Sequence, residues 1–242
     1  MKRAIIMGAT SGIGMEVAIL LASQGWKVGI AGRRTEKLEV LKNSHTNITH
    51  FSTIDVNQTD APSRLLALVH DMGGMDLYFH SSGIGWQNTR LHADKELRTV
   101  ETNAIGFTRM ITAAFDWFAS NGGGQIACIT SIAGTKGLGA APAYSATKRF
   151  QSHYLEALAQ QAHMRHLPIR ITDIRPGFVA TDLIAGSSFP MQMQALDVAK
   201  KIAKAIEAKQ EVVVVDWRYR LLVELWKLLP RSLWTRMNIS KE

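Results

Sequence analysis

A single cysteine, at position 128, is all the thiol chemistry in 242 residues, so no disulfide can close within the chain and a reducing compartment is expected. It sits in the apolar run "GQIACITS", the setting of a buried, inert thiol. The eight histidines are scattered, and no Cys/His grouping has metal-ligand spacing, so no metal is expected. No apolar run approaches the roughly 18 residues that a membrane span needs. The N-terminal "AIIM" is broken by Gly8 too early to serve as a signal-peptide core, which makes a cytoplasmic protein the expectation. Acidic residues are the scarcer charge, 20 against 28 Lys and Arg, for a net +8. Half of that excess is local. From residue 217 to 242 six cations (218, 220, 227, 231, 236 and 241) face Glu224 and Glu242, a net +4. No nucleic-acid-binding module accompanies the charge, and no nucleic acid partner is expected.

What is present is alternation. Short β-rich apolar runs begin near residues 4, 27, 48, 75, 124, 168 and 211, with stretches of helical spacing such as "GMEVAILLASQ" and "DVAKKIAKAIEAK" between them. Several runs are continuously apolar rather than alternating, as parallel strands buried on both faces require. The expectation is an α/β fold: one doubly wound Rossmann-type domain over residues 1–216 with a parallel seven-stranded sheet, followed by an amphipathic helical tail over 217–242.

The loop "GATSGIG" after the first strand carries Gly8, Gly12 and Gly14, which permit a tight turn and let backbone N–H groups approach a pyrophosphate at a helix N-terminus. By itself such a turn also serves plain packing. The second strand ends in Arg33 and Arg34 with no acidic residue from Ala31 to Thr35, so a ribose 2′-phosphate, and hence NADP(H) over NAD(H), is favoured over a free 2′-hydroxyl. In "AYSATK" Tyr144 and Lys148 lie one turn apart and share a helix face. An isolated pair of this kind is also the mark of a solvated helix surface.

Together these features resemble the short-chain dehydrogenase/reductase family over about residues 3 to 182. The family's glycine loop is matched by Gly8, Gly12, Ile13 and Gly14, its adenine-side Asp by Asp55, and its helix Asn by Asn103 in "ETNAIG". Its serine is matched by Ser131, its Tyr and Lys by Tyr144 and Lys148, and its P-G-x-x-x-T stretch by Pro176, Gly177 and Thr181. The resemblance implies that Asn103, Ser131, Tyr144 and Lys148 are catalytic. It extends the cofactor site to Thr10, Ser11 and Val56, to Ser82 and Gly83, and to Val179. One stretch departs: the family's N-N-A-G reads "HSSG" at 80–83.

The chemistry follows from the side chains. Reduction of a carbonyl needs a proton at oxygen, and Tyr144 is the expected general acid. An unperturbed phenol titrates near 10, and a neighbouring ammonium is expected to pull that value down. Ser131 is placed to hold the carbonyl oxygen as charge develops on it. By resemblance, Lys148 also holds the nicotinamide ribose and Asn103 a water leading to solvent. A catalytically silent NADPH sensor on the same fold is the alternative, since fold does not fix function.

On the substrate side, Ile84 and Trp86 after the fourth strand, and Ile184, Phe189, Met191 and Met193 after Thr181, are candidates for an apolar lining. They point to a moderately hydrophobic carbonyl compound without naming it. A helix is expected over about 218–229 with Leu221, Leu222, Leu225, Leu228 and Leu229 on one stripe. With its cations and tryptophans, the tail is compatible with packing on the domain, with a subunit contact, or with a peripheral membrane contact. The family often forms homodimers or homotetramers.

Overall fold

A computed structural model describes residues 1–182 and 189–238. Its central sheet has seven parallel strands: β1 (Arg3–Met7), β2 (Lys27–Gly32), β3 (Ile48–Thr53), β4 (Leu77–His80), β5 (Gly124–Ile129), β6 (Ile169–Arg175) and β9 (Val212–Val214). Their order is β3-β2-β1-β4-β5-β6-β9. β1, β2 and β4 are buried almost throughout because both faces of the sheet are covered there. Along β1, Ala4 and Ile6 enter one core and Ile5 and Met7 the other.

The first core joins the sheet to α1 (Gly12–Ser23), α2 (Thr35–Ser44), α7 (Ala195–Glu207) and α8 (Trp217–Leu228). The second joins it to α3 (Ala61–Asp71), α5 (Phe107–Ser120) and α6 (Pro142–Met164). Helix α6 begins with Pro142, whose fixed φ suits a first helical position. The shorter α4 (Ala93–Val100) packs against α6.

Strand order reverses between β1 and β4, which pair in parallel with Met7 opposite His80. In open sheets of this kind the crevice beyond the carboxyl ends of the strands at that reversal is the ligand site. Glycine makes the crevice possible. Gly8 has φ +89°, and a Cβ there would stand 2.7 Å from the Ser82 nitrogen, so only glycine lets the β1–α1 turn lie against the loop after β4.

Two features depart from the expectation. A two-stranded parallel pair, β7 (Val179–Ala180) with β8 (Met193–Gln194), lies outside the main sheet. Met193 is buried in the first core through this pairing, so it is a packing residue and not part of a substrate lining. The expected single leucine stripe of the tail is also divided. Tyr219 and Val223 are the buried residues of α8 and Leu222 is half-buried, while Leu221, Leu225 and Leu228 point outward. The tail nevertheless packs on the domain. Trp234 in the short α9 (Arg231–Trp234) donates from Nε1 to the Gly137 carbonyl at 2.7 Å, and Lys136 Nζ donates to the Leu229 carbonyl at 2.9 Å.

Candidate active site

A cleft of about 900 Å³ runs along the carboxyl edge of the sheet. At one end lie Gly8, Thr10, Ser11, Gly12 and Ile13 of the first turn, with Arg33, Arg34, Asp55 and Val56 beyond β2 and β3. Gly14 sits behind the turn, where a Cβ would meet the Gly8 carbonyl oxygen at 2.2 Å. The two arginines differ. Arg34 donates from Nη2 to the hydroxyls of Thr10 and Ser11, both at 2.7 Å, and pairs with Asp182 at 3.5 Å. Arg33 is exposed at the cleft and makes no hydrogen bond or ion pair among the described residues, leaving its guanidinium for a ligand.

Ser82, Gly83, Ile84 and Trp86 line the middle of the cleft, facing Pro176, Gly177, Val179 and Thr181. Beyond them Phe189 and Met191 line it, whereas Ile184 lies outside the described residues. The cleft therefore brings together both ends of the expected site.

Its floor holds Ser131, Tyr144 and Lys148. Ser131 follows β5 and caps the short 3-10 turn Ile132–Thr135, its Oγ accepting from the Ala133 N–H at 3.1 Å. Tyr144 and Lys148 rise from the first turns of α6, and Lys148 Nζ lies 5.7 Å from the centroid of the Tyr144 ring. Gly85 fits flat against that ring; a Cβ there would stand 2.3 Å from Tyr144 Cδ2.

Asn103 belongs to a π-helical turn, Glu101–Gly106, inserted between α4 and α5. Turns of this kind widen the helix and recur at functional sites. Asn103 does not line the cleft. Its side chain is buried and clamps Ile84, accepting from the Ile84 N–H at 2.9 Å and donating to the Ile84 carbonyl at 2.7 Å.

Asn103 and Lys148 are linked through Gln151, a residue the motifs gave no reason to single out. Gln151 is fully buried; it donates from Nε2 to the Asn103 carbonyl at 2.8 Å and accepts at Oε1 from Lys148 Nζ at 3.0 Å. Lys148 donates also to the Ile129 carbonyl at 3.0 Å. The available signal was spacing alone: Gln151 follows Lys148 by three and shares its face.

Electrostatics reverse one expectation. Burial pushes the Lys148 ammonium down from 10.5 to about 8, against the opposing influence of Asp173 and Cys128. Burial also raises the Tyr144 phenol above its ordinary 10, with Ser131 acting the other way. The phenol is thus held protonated, not pulled toward neutrality by the lysine. Beneath the floor, in the departing "HSSG" stretch, His80 is buried and pushed down to about 3 by desolvation and by Lys148. Its Nδ1 meets the Tyr78 hydroxyl at 3.0 Å, and its Nε2 has no hydrogen-bond partner among the described residues.

The far wall also escaped the motifs. Phe178 stacks on Phe189 with ring centroids 4.1 Å apart. Tyr219 of α8 lies on Gly177, receives the Phe178 N–H at 3.2 Å and reaches the carbonyls of Pro190 and Met191 at 3.1 Å. Leu222 and Trp226, from the same helix, complete this wall.

The family model for short chain dehydrogenases matches residues 2–190, and the chain belongs to this family of oxidoreductases. It is 31% identical over 240 residues to an uncharacterized oxidoreductase of Myxococcus xanthus, covering 96% of this chain and 94% of that one. An uncharacterized oxidoreductase of Mycobacterium tuberculosis is likewise 31% identical over 243 residues, with 95% of each chain covered. Among solved structures it is similar to an actinorhodin polyketide ketoreductase determined with NADPH, with a TM-score of 0.78 and 25% identity over 88% of this chain and 95% of that one. A short-chain type dehydrogenase/reductase from Mycobacterium ulcerans shares the fold, with a TM-score of 0.80 at 23% identity and 98% of each chain covered.

Proposed function

We propose that the chain interconverts a carbonyl compound and its alcohol, with NADP(H) as the preferred cofactor and Tyr144 as the general acid and base. The observation that carries this reading is one cleft holding Ser131, Tyr144 and Lys148 on its floor and Arg33 with the glycine turn at its end. The residues fit such a cofactor. Ser11 gives α1 no side-chain cap, which leaves N–H groups of its first turn at the cleft, where a pyrophosphate is stabilised by the helix terminus. Arg33 is free to take the 2′-phosphate, and Asp55 and Val56 stand on the adenine side. Gly83 lies beside Lys148 at the floor, where a Cβ would make ordinary contacts with Asn103 Oδ1 at 3.4 Å and Lys148 Nζ at 3.5 Å. When bound, the nicotinamide supplies or takes up hydride.

The chain's own residues manage the oxygen. Ser131 donates to it, a contact that strengthens as negative charge develops. Tyr144 hands it a proton, which its raised affinity for that proton keeps ready at neutral pH. Lys148 stabilises the phenolate left behind. The NADPH found with the polyketide ketoreductase supports the cofactor assignment by similarity. The apolar side chains of Trp86, Phe189 and Met191 favour a moderately hydrophobic substrate.

The test is NADPH consumption over a panel of carbonyl compounds, with Tyr144→Phe beside the natural sequence. Consumption should fall by roughly 10²- to 10⁴-fold in the variant, with NADPH binding retained. Retained turnover would remove the tyrosine from its role. NADPH binding without consumption of any carbonyl would favour a cofactor sensor instead.

A further inference from the structure

Helix α8 is apolar on two opposite sides, and only one of them is covered. Tyr219 and Val223 are buried, and Leu222 and Trp226 line the cleft. On the other side Trp217, Leu221, Leu225 and Leu228 are 73, 57, 53 and 79% exposed. At 100° per residue these four fall within a sector of about 80°. They form one stripe, not a scatter of lone surface leucines. Leu233 and Met237 in the following turns are exposed as well.

Cations mark the margins of the stripe. Arg218 is tied to Asp216, and Lys227 to Glu224. Arg220, Arg231 and Arg236 form no ion pair among the described residues. Between 217 and 238 Glu224 is the one acidic residue. This charge decides between occupants. A second copy seated on this stripe would bring two net-cationic surfaces together, with one acidic residue on each, which opposes pairing. An anionic lipid surface satisfies leucine, indole and guanidinium together: leucine below the headgroups, tryptophan at their level, arginine among the phosphates. No helix among the described residues is long and apolar enough to cross a membrane, so the contact is a peripheral one.

We infer that the outer face of α8, carrying Trp217, Leu221, Leu225 and Leu228 with Arg220 at its margin and Arg231 and Arg236 in the chain that follows, docks the protein on an anionic lipid surface. The inner face of the same helix is a wall of the cleft, held by Tyr219 against the loop that carries Met191. Docking therefore brings the substrate wall close to the bilayer. Resting on the carbonyl-reductase reading, this names the substrate class: an amphiphilic carbonyl compound that partitions into the lipid.

The test is co-sedimentation of the full chain with phosphatidylcholine vesicles, with and without phosphatidylglycerol, beside a Leu221→Glu/Leu225→Glu variant. Neither leucine lines the cleft, so unchanged NADPH binding and unfolding temperature certify the variant's fold independently of the outcome. The natural chain should pellet with the phosphatidylglycerol vesicles and be released by salt, and the variant should bind at least tenfold more weakly. A natural chain that stays in solution with every vesicle would overturn the proposal. So would binding indifferent to phosphatidylglycerol and salt, or a dimer on size exclusion that the variant dissociates. None of these outcomes depends on turnover, so lipid docking and the reductase assignment fail separately.

Discussion

Substitution of Gln151 perturbs the buried Lys148 ammonium while leaving the lysine itself in place. Lys148 Nζ has two acceptors in the structure, the Ile129 carbonyl and Gln151 Oε1, each at 3.0 Å. Gln151→Leu removes one of them at a site where both residues are buried. A hydrogen bond to a charged group contributes about 1.5–3 kcal/mol, and each pH unit corresponds to about 1.4 kcal/mol. The ammonium should therefore lose its proton roughly one to two pH units lower than its present value of about 8. Gln151→Glu adds a carboxylate at the same distance and moves it the other way. The surrounding charges do not compensate. Asp173 and Cys128 already act on Lys148 in the upward direction, and His80, pushed down to about 3, is neutral in the working range.

The assay is kcat/KM for NADPH oxidation against pH for the three proteins. On the proposed mechanism the ammonium must be present as the phenolate forms, so activity should fall on the alkaline side when Lys148 deprotonates. That limb should move to lower pH in Gln151→Leu and to higher pH in Gln151→Glu. Some loss of stability accompanies the leucine, since the Asn103 carbonyl loses its donor, a buried vacancy that costs about 1–3 kcal/mol. A merely structural glutamine would change the unfolding temperature and leave the limb in place. Superimposable profiles in all three proteins would refute the assignment of Gln151 as the residue that positions and tunes Lys148.

Other perturbations bear on the remaining parts of the site. Arg33→Ala should raise KM for NADPH by about 10- to 100-fold, the loss of one charge-assisted contact, and leave NADH nearly unchanged; equal weakening of both would refute the 2′-phosphate role. Gly85→Val places side-chain atoms where the Tyr144 ring lies, 2.3 Å from a Cβ, so kcat should fall at least tenfold while NADPH affinity by fluorescence titration holds. His80→Asn tests acid lability: the folded imidazole takes its proton near 3 and the unfolded one near 6.5, so the unfolded state binds more protons between these values. Stability is therefore fully present above about 6.5 and is lost as pH falls toward 3, by up to about 5 kcal/mol, and urea unfolding of His80→Asn should show a flatter acid limb.

The sheet was legible because its physics is one-dimensional. A parallel strand covered on both sides is apolar along most of its length, and β1 (Arg3–Met7) and β2 (Lys27–Gly32) announce themselves that way. The motif residues were legible because backbone approach and helical spacing leave traces: glycine where the first turn meets Ser82, tyrosine and lysine four apart on α6. What failed depends on which helix face another element covers. Met193 reads as an adaptable lid residue until the β7–β8 pairing buries it. The leucines of the tail read as one stripe until Tyr219 fixes the phase of α8 on Gly177. Gln151 is an ordinary polar residue of a long helix until the π-helical turn at Glu101–Gly106 lowers a carbonyl onto it.

The inverted sign of the tyrosine shift has the same origin, and it bears on how the site works. A sequence shows that Tyr144 has a cation one turn away; it does not show how much water either group loses. In the structure desolvation dominates both, raising the phenol and lowering the ammonium, so each drifts toward its neutral form. On the proposed mechanism the first shift is useful for reduction, since Tyr144 keeps its proton until the oxygen calls for it. The second is a liability, since a neutral amine cannot stabilise the phenolate that follows. The contacts to Lys148 all act on that liability: two acceptors at 3.0 Å and the influence of Asp173 hold the proton on a buried nitrogen. Gln151 is the member of this set that also grips the π-helical turn, so the turn that fixes Asn103 and Ile84 also fixes the orientation of the amide. The widened helix is therefore tied to Lys148 through Gln151, and to the neighbouring Thr147 of α6 through Asn103 Nδ2 at 3.2 Å; on the proposed mechanism, substitutions in that turn other than at Thr102, which lines the cleft, should act on turnover through the alkaline limb.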